Sequence, residues 1–571
     1  MKKLIILIWL LAISWVLTGQ NVPQVTAKIF IENVTLNTHP GSTPFVGNIL
    51  VEDGIITNIG PSITPPFDAR IIDGDTMHAY AGFIATLSHI GIKEPKEDNQ
   101  RPKVDRTGYP PNDVAGITPE KSVSDLYIAK EGSIKEYRQQ GFAIAQTVPY
   151  GKMLPGKGSV ISLSGESFDD AVILKDNSMY ARWANVRGVF PATLIGIMAK
   201  WREMYKNAEL LADHAEHYKA NPLNRQRPNP DAATEALYPV VSNQMAVYFE
   251  AEKHRDIYRT LRLQKDLGFD LVIAEAKDID RIADKIKENN VRVLLSLDLP
   301  KEEKEEKKTS EKEKEGDNVM EGTAGEEEDP EEDKTDQEKD RLLKRKKEAA
   351  KRYVSQAKML ADENIPLAFS YIDVKPKDIH PNLRRMAKEG LSESVALSAL
   401  TTEAATTLGI ESIAGTLEAG KIGNLVVLTK PLLDEQAKVK MVVVDGKVHS
   451  YDVKEKKKKT SGEEVADVSG EWSYKIEVPG MTPSGTMTFT KSGDTYNLEV
   501  TSNQNPGESV STEDIEIDGS NMMFSYSMDA GGMTITIEND ITFDGNTFDG
   551  TVSVGDFGSF EITGKKVDPE N

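Results

Sequence analysis

The chain of 571 residues contains no cysteine. That excludes disulfides, a thiolate nucleophile, thiolate metal ligands and a lipid-modified cysteine, so stability has to come from packing. Histidine is scarce, at eight residues, and a histidine-built metal centre has few positions to draw on. Positive charge is in deficit as well: 69 lysines and arginines face 91 aspartates and glutamates, a formal net charge of −22. This balance argues against non-specific nucleic-acid binding. The cluster "KEKKKK" (454–459) stands beside "GEEVAD" and reads as a solvated linker over 453–467.

Long apolar runs are missing except at the start. "MKKLIILIWLLAISWVLTGQ" has two lysines, an apolar stretch from Leu4 to Leu17, then Thr18 and Gly19. These are the three regions of a secretory signal, and the apolar stretch is shorter than the roughly 20 residues that span a bilayer. The expectation is a signal peptide over 1–19 and a periplasmic or secreted protein of a Gram-negative bacterium. An uncleaved membrane anchor is the alternative, because Leu17-Thr18-Gly19 matches Ala-x-Ala poorly. An exported chain without cysteine suits a bacterial envelope.

Beyond the leader, residues 20–80 alternate apolar and polar positions in short runs such as "AKIFIENVTL" and "GNILVEDGIITNIG", with Asp53-Gly54 as a hairpin signal. The same texture returns over 414–452, where Asp445-Gly446 is a second turn signal. Two β segments flanking a long middle predict one small β-sandwich domain built from both ends. The middle, 81–413, alternates strand-like and helix-like runs, as in "FDLVIAEA" before "KDIDRIADKIKENN" and "VRVLLSLDLP" after it. Repeated βα units predict an α/β fold, a (β/α)8 TIM-like barrel with its active site at the C-terminal ends of the strands. Residues 301–340 have almost no apolar side chains and read as a disordered insertion on that same face. Residues 468–566 form short alternating strands, a separate C-terminal antiparallel β domain, sandwich or small barrel.

"NILVEDGIITNIG" through "AGFIATLSHIG", together with "EGLSESVALSALTTEAATTLGIESIAGTLEAGKIGNLVVLTKPLL", resembles the amidohydrolase superfamily, in particular its imidazolonepropionase-like, exported bacterial branch. The resemblance covers about 25–452. It implies hydrolysis of non-peptide C–N bonds through one or two divalent metals, which lower the pKa of bound water and polarise the carbonyl. The family's ligands are His-x-His on strand 1, a carboxylated lysine or glutamate on strand 4 and histidines on strands 5 and 6. A strand 8 aspartate takes the proton from the water.

This chain departs from that pattern nearly everywhere. On strand 1 it has Leu87 and His89, with Ala85 at the family's aspartate. By similarity Glu250 falls on the strand 5 histidine, Glu252 near a second one, and Glu275 on the strand 6 histidine. The strand 8 aspartate falls on Ile372, with Asp373 one residue on, which substitutes only if the strand bulges or has already turned. Strand 4 has no safe assignment. The candidate metal set is therefore His89, Glu250 and Glu275, with Asp373 as candidate catalytic base. Mn²⁺ or Mg²⁺ accept carboxylate-rich sites, and Zn²⁺ is the family's other habit.

Other motifs carry less. His214 and His217 have zinc-compatible spacing but lie on a charged helix face. Gly156-Lys157-Gly158-Ser159 lacks the full phosphate-loop pattern and precedes a strand. Asn112 and Asp113 are pocket candidates or turn formers, and His39, His78 and His449 are surface or packing residues.

Three readings stand side by side. In the first, the chain is an exported, catalytically inactive scaffold and a partner of an intact, catalytic amidohydrolase paralogue, with homo-oligomerisation open. In the second it is an active hydrolase of cyclic amides or small peptides with a remodelled carboxylate-rich metal site. In the third it binds ligand through its C-terminal β domain.

Overall fold

The computed structural model describes residues 28–95, 101–300, 330–451 and 468–567, apart from short stretches within the last of these. The expected signal peptide (1–19), most of the charged insertion and the linker (453–467) lie outside the described residues. The chain divides into two compact units, 1–453 and 454–571.

The first unit contains two sheets. One is built from both ends of the unit: β1 (Lys28–Leu36), β2 (Phe45–Glu52), β3 (Ile55–Gly60), β4 (Arg70–Asp73) and β5 (His78–Ala81) join β14 (Leu425–Leu428), β15 (Val439–Val444) and β16 (Lys447–Ser450). Asn33, at positive φ, marks a bulge in β1. The first half of β1 pairs with β4 and its second half with β5, so the sheet branches there. Its apolar face closes around Ile31, Val34, Ile49 and Ile56 from one arm and Leu425, Val427, Met441 and Val443 from the other. Each such fully buried side chain contributes about 1.5–3 kcal/mol of transfer free energy. Both expected turns are present. Asp53 and Gly54, like Asp445 and Gly446, lie at positive φ, the conformation that two-residue hairpins with right-handed strand twist require.

The second sheet is the barrel: β6 (Phe83–Ser88), β7 (Phe142–Thr147), β8 (Gly156–Ser162), β9 (Val172–Arg182), β10 (Ala246–Glu250), β11 (Leu271–Ala276), β12 (Arg292–Ser296) and β13 (Leu367–Ser370), in that spatial order. β13 returns to β6, where the Tyr371 N–H donates to the Leu87 carbonyl at 2.9 Å and the Thr86 hydroxyl to the Phe369 carbonyl. The (β/α)8-type barrel expected from the βα alternation is thus observed, with one departure. β8 runs antiparallel to both neighbours, because the segment joining it to β7 contains no helix to carry a parallel crossover. Gly82 leads from the first sheet into the barrel. A Cβ there would meet the Ala143 Cβ at 2.7 Å, so only glycine allows this approach.

Four helices matter for the site: α1 (Leu194–Ala220), α2 (His254–Leu267), α3 (Ala283–Asn289) and α4 (Pro330–Val354). Residues 330–340, expected to be disordered with the rest of the insertion, belong to the helix α4. Pro330 at its first position and Lys351 and Arg352 in its last turn suit a helix start and the negative end of its dipole.

The second unit is one antiparallel path of nine strands: β17 (Gly470–Glu477), β18 (Ser484–Ser492), β19 (Thr495–Ser502), β20 (Ser509–Thr512), β21 (Ile515–Asp518), β22 (Asn521–Ala530), β23 (Met533–Asp544), β24 (Thr547–Val554) and β25 (Ser559–Lys566). Its first strand pairs with its last. Alternate residues point inward, and Trp472, Phe489, Phe543 and Phe548 meet mostly edge to face in a side-chain-filled interior.

Candidate active site

The C-terminal ends of the barrel strands present a ring of charged and aromatic side chains. On β6, Ala85 and Leu87 are both 0% exposed and belong to the barrel core. Leu87 therefore fills its position with hydrocarbon where the resemblance implies a ligand. His89 lies just beyond the strand. Its Nδ1 donates to the Val148 carbonyl at 2.7 Å, leaving the lone pair on Nε2, and its ring stacks on Tyr150 at 3.7 Å between centroids. Burial, only partly opposed by that hydrogen bond, lowers its pKa to about 4, so the imidazole is neutral at pH 7.

β9 and β10 bring the first carboxylate to a guanidinium. Glu250, the last residue of β10, stands opposite Arg182, the last residue of β9, in the parallel register. Arg182 Nη2 donates to Glu250 Oε1 at 2.8 Å and its Nε lies 2.7 Å from Oε2, a two-point pair. The Tyr180 hydroxyl also donates to Glu250 Oε2. Burial, with the nearby Glu250 charge, pushes the Tyr180 phenol well above its ordinary value and keeps it protonated. Both oxygens of Glu250 are thus engaged by protein donors.

β11 and β13 bring the second carboxylate to an ammonium. The ladder between β11 and β12 slips between Ile273 and Ala276, and Glu275 sits in this irregularity at φ +54°. A non-glycine residue there is strained. Its carboxyl is 1% exposed and accepts from the Ser296 hydroxyl, while Oε2 has no partner. Burial raises its pKa to about 7, with Asp373 adding to the rise and Ser296, Ser370 and Lys277 opposing it. Lys277 follows two residues on. Its Nζ lies 2.8 Å from Asp373, 3.5 Å from Glu275 and 4.0 Å from both Glu252 and Asp298. Burial disfavours this ammonium, but the hydrogen bond to Asp373 and the surrounding carboxylates outweigh that and raise its pKa. Asp373 reaches Lys277 because β13 ends at Ser370, so the chain has already turned when it comes to Asp373. Ile372, at the expected aspartate position, packs against the barrel core instead.

The candidate residues are thus divided among three clusters: His89 with Tyr150 and Val148, Glu250 with Arg182 and Tyr180, and Glu275 with Lys277 and Asp373. Among the described residues no three histidine, aspartate or glutamate side chains form a group that could hold a metal ion. The donor set does not fit the metal that the resemblance implies. Leu87 supplies no lone pair, Glu250 is saturated by a fixed cation, and an ammonium stands amid the carboxylates around Glu275. Asp373 accepts from the Lys277 ammonium at 2.8 Å.

Arg182 and Lys277 are the functional residues that the sequence did not disclose. Arg182 ends the fourth barrel strand, where no counterpart to the family's lysine could be assigned. Lys277 stands in "AEAKDID", two residues past Glu275, and its only signal was a cation close behind an expected ligand. The remaining motifs are placed simply. His217 is exposed and pairs with Asp213 on α1 at 3.5 Å, as a solvated face would. Gly156–Ser159 lies within β8, and Lys157 pairs with Asp176 at 2.7 Å.

The amidohydrolase family model matches residues 271–449 of the chain. Among solved structures, an amidohydrolase from Thermotoga maritima MSB8 is similar at 20% identity and TM-score 0.57, over 74% of this chain and 99% of that one. A Xaa-Pro dipeptidase with methionine bound in its active site aligns at 14% identity and TM-score 0.40, over 74% of this chain and all of its own. That last likeness is too low to carry an argument. No curated protein matches the chain. The family match rests on the later part of the first unit, and the likeness to the Thermotoga protein is one of fold.

Proposed function

We propose that this amidohydrolase-like barrel is a catalytically inactive scaffold in which fixed cations take the part of the metal. The observation that carries this reading is Lys277, whose ammonium stands among Glu275, Asp373, Glu252 and Asp298 while Arg182 saturates Glu250. A mobile divalent ion binds water, lowers its pKa and polarises a carbonyl. A tethered ammonium already hydrogen-bonded to carboxylates offers no open coordination position for either task. The neutral residue Leu87 on strand 1 supports the same reading.

Export through the N-terminal leader and association with an intact amidohydrolase paralogue complete the proposal. They rest on the composition of residues 1–19 and on the family resemblance. The test is to purify the full chain from its native host and assay the fraction for hydrolysis of cyclic amides and dipeptides with Zn²⁺, Mn²⁺ or Mg²⁺ added. The reading expects any activity to follow a co-purifying amidohydrolase and to vanish when that protein is removed by salt or size separation. Activity that stays with this chain alone, and is lost in Glu275→Gln, would overturn it.

One observation favours the active-hydrolase reading. Glu275 is a buried carboxyl with an unpartnered oxygen and a pKa of about 7, the range a general acid needs at neutral pH. The same assay on Glu275→Gln decides between them.

A further inference from the structure

Away from the strand ends, the outer rim of the barrel carries a groove of about 550 Å3 between α1, α2 and α3. Its charge is opposite to that of the chain as a whole. Arg255, Arg259, Arg262, Arg281 and Lys285 line it, and no carboxylate does. Helical spacing sets out these cations in two rows. Arg255, Arg259 and Arg262 recur at intervals of four and three along α2, so they share one face and span about 10 Å. Arg281, just ahead of α3, and Lys285, in its first turn, form the opposite wall. Tyr258, 52% exposed, lies on the same face as the arginines of α2.

Part of this charge is balanced within the protein. Arg259 pairs with Asp256, Lys285 with Glu288 at 3.0 Å, and Arg281 lies 3.9 Å from Asp278, which also takes the His254 ring. Arg255 and Arg262 form no ion pair among the described residues and are exposed. Cations held this close repel one another, and in a chain of net charge −22 their concentration in a groove has no bearing on solubility. Guanidinium groups present paired N–H donors matched to phosphate and carboxylate oxygens.

We propose that this groove is a binding site for an extended phosphate-type polyanion, a ligand with several linked phosphate groups. The two-row layout favours it over a single phosphate, because the five cations carry more positive charge than one orthophosphate neutralises. Such phosphates can be free in solution or carried by a lipid headgroup. The site is independent of the barrel mouth, so its test does not depend on whether the barrel hydrolyses anything.

The experiment is calorimetric titration of the full chain with sodium tripolyphosphate and with orthophosphate at low ionic strength, then with rising NaCl. Tripolyphosphate should bind at least about tenfold more tightly than orthophosphate and weaken steadily with salt. Arg255→Ala/Arg262→Ala should lower its affinity by about tenfold or more, since each lost guanidinium removes a charge-assisted pair. This double variant leaves no carboxylate unpaired, and a circular-dichroism melt checks that it folds. Arg225→Ala/Arg227→Ala removes two exposed arginines elsewhere and should leave binding unchanged. Vesicles of phosphatidylglycerol give the source: binding displaced by tripolyphosphate points to lipid-borne phosphate, and no vesicle binding points to a free polyanion. Absence of tripolyphosphate binding, equal loss in both double variants, or binding of poly-glutamate in preference to tripolyphosphate would overturn the proposal.

Discussion

The two sides of the barrel mouth fill the positions where the resemblance implies metal donors in different physical ways. On the β6 and β13 side two of these positions hold hydrocarbon. Leu87 is part of the core and Ile372 packs against it, and the Leu87 carbonyl and Tyr371 N–H close the barrel. On the β9 to β11 side charge is retained but neutralised, with Arg182 on Glu250 and Lys277 amid Glu275 and Asp373. The first route puts apolar side chains at these two positions, so neither carries a charge that needs a partner. The second keeps buried charges whose desolvation is offset only while both partners remain. The two sides should therefore respond to mutation and to pH in opposite ways.

The largest contrast comes from halving a pair. Arg182→Ala leaves Glu250 buried beside Tyr180 without its cation, and should destabilise the first unit by about 3–5 kcal/mol in denaturant unfolding. Lys277→Met should cost less, about 2–3 kcal/mol, because its hydrogen-bond partner Asp373 is 44% exposed against 10% for Glu250, and water screens the carboxylate left behind. Replacing both partners, Arg182→Met with Glu250→Leu, should cost under about 1–2 kcal/mol, since removing a whole buried pair is often close to neutral. A double replacement as costly as Arg182→Ala alone would show that packing, not charge, dominates there.

Dependence on pH sharpens the comparison. Burial favours protonated Glu275 in the folded chain, so its contribution to stability is complete below the ordinary carboxyl value, 4.5, and is lost as pH rises through about 7. The size is about 3 kcal/mol. His89 acts in the other direction. Burial keeps it neutral, so its contribution is complete above 6.5 and is lost as pH falls toward about 4. Between 4.5 and 6.5 the two slopes oppose each other, and between 6.5 and about 7 only Glu275 remains. Glu275→Gln should flatten the decline in unfolding free energy between pH 6.5 and about 7.5, while His89→Gln should flatten the rise from acid. A decline that persists in Glu275→Gln would assign it to another group.

The apolar side is probed by a single substitution. Leu87→His places an imidazole where the structure supplies only core hydrocarbon, and should cost about 1–3 kcal/mol as a buried polar group without a partner. It should not restore metal uptake, because Arg182 and Lys277 still hold the carboxylates. Uptake of about one equivalent by Leu87→His alone would show that the missing strand 1 ligand was the sole obstacle.

Much of this architecture was legible in the sequence, for reasons tied to particular residues. Asp53-Gly54 and Asp445-Gly446 are turns because both positions of a two-residue hairpin need φ above zero, a local requirement that a dipeptide states by itself. The strands carrying Glu250 and Glu275 are runs of buried apolar residues. The antiparallel course of β8 was not legible, because strand direction depends on the connection and not on the strand's own composition. At the site, Leu87 declared its chemistry directly. The neutralising cations did not, because an ion pair is a property of tertiary neighbours: Arg182 lies 68 positions from Glu250, and Lys277 lies 96 from Asp373. Whether Asp373 could act at the strand end depended on where β13 stops, and the structure stops it at Ser370.

The claim that fixed cations occupy the metal's role is tested most directly by metal content. The full chain would be exposed in turn to Zn²⁺, Mn²⁺ and Mg²⁺, desalted, and measured by mass spectrometry beside Glu250→Ala/Glu275→Ala. The account predicts far less than one equivalent of every ion, with no difference between the two proteins. Retention of about one or two equivalents, lost in the double variant, would contradict it and make the carboxylates true ligands.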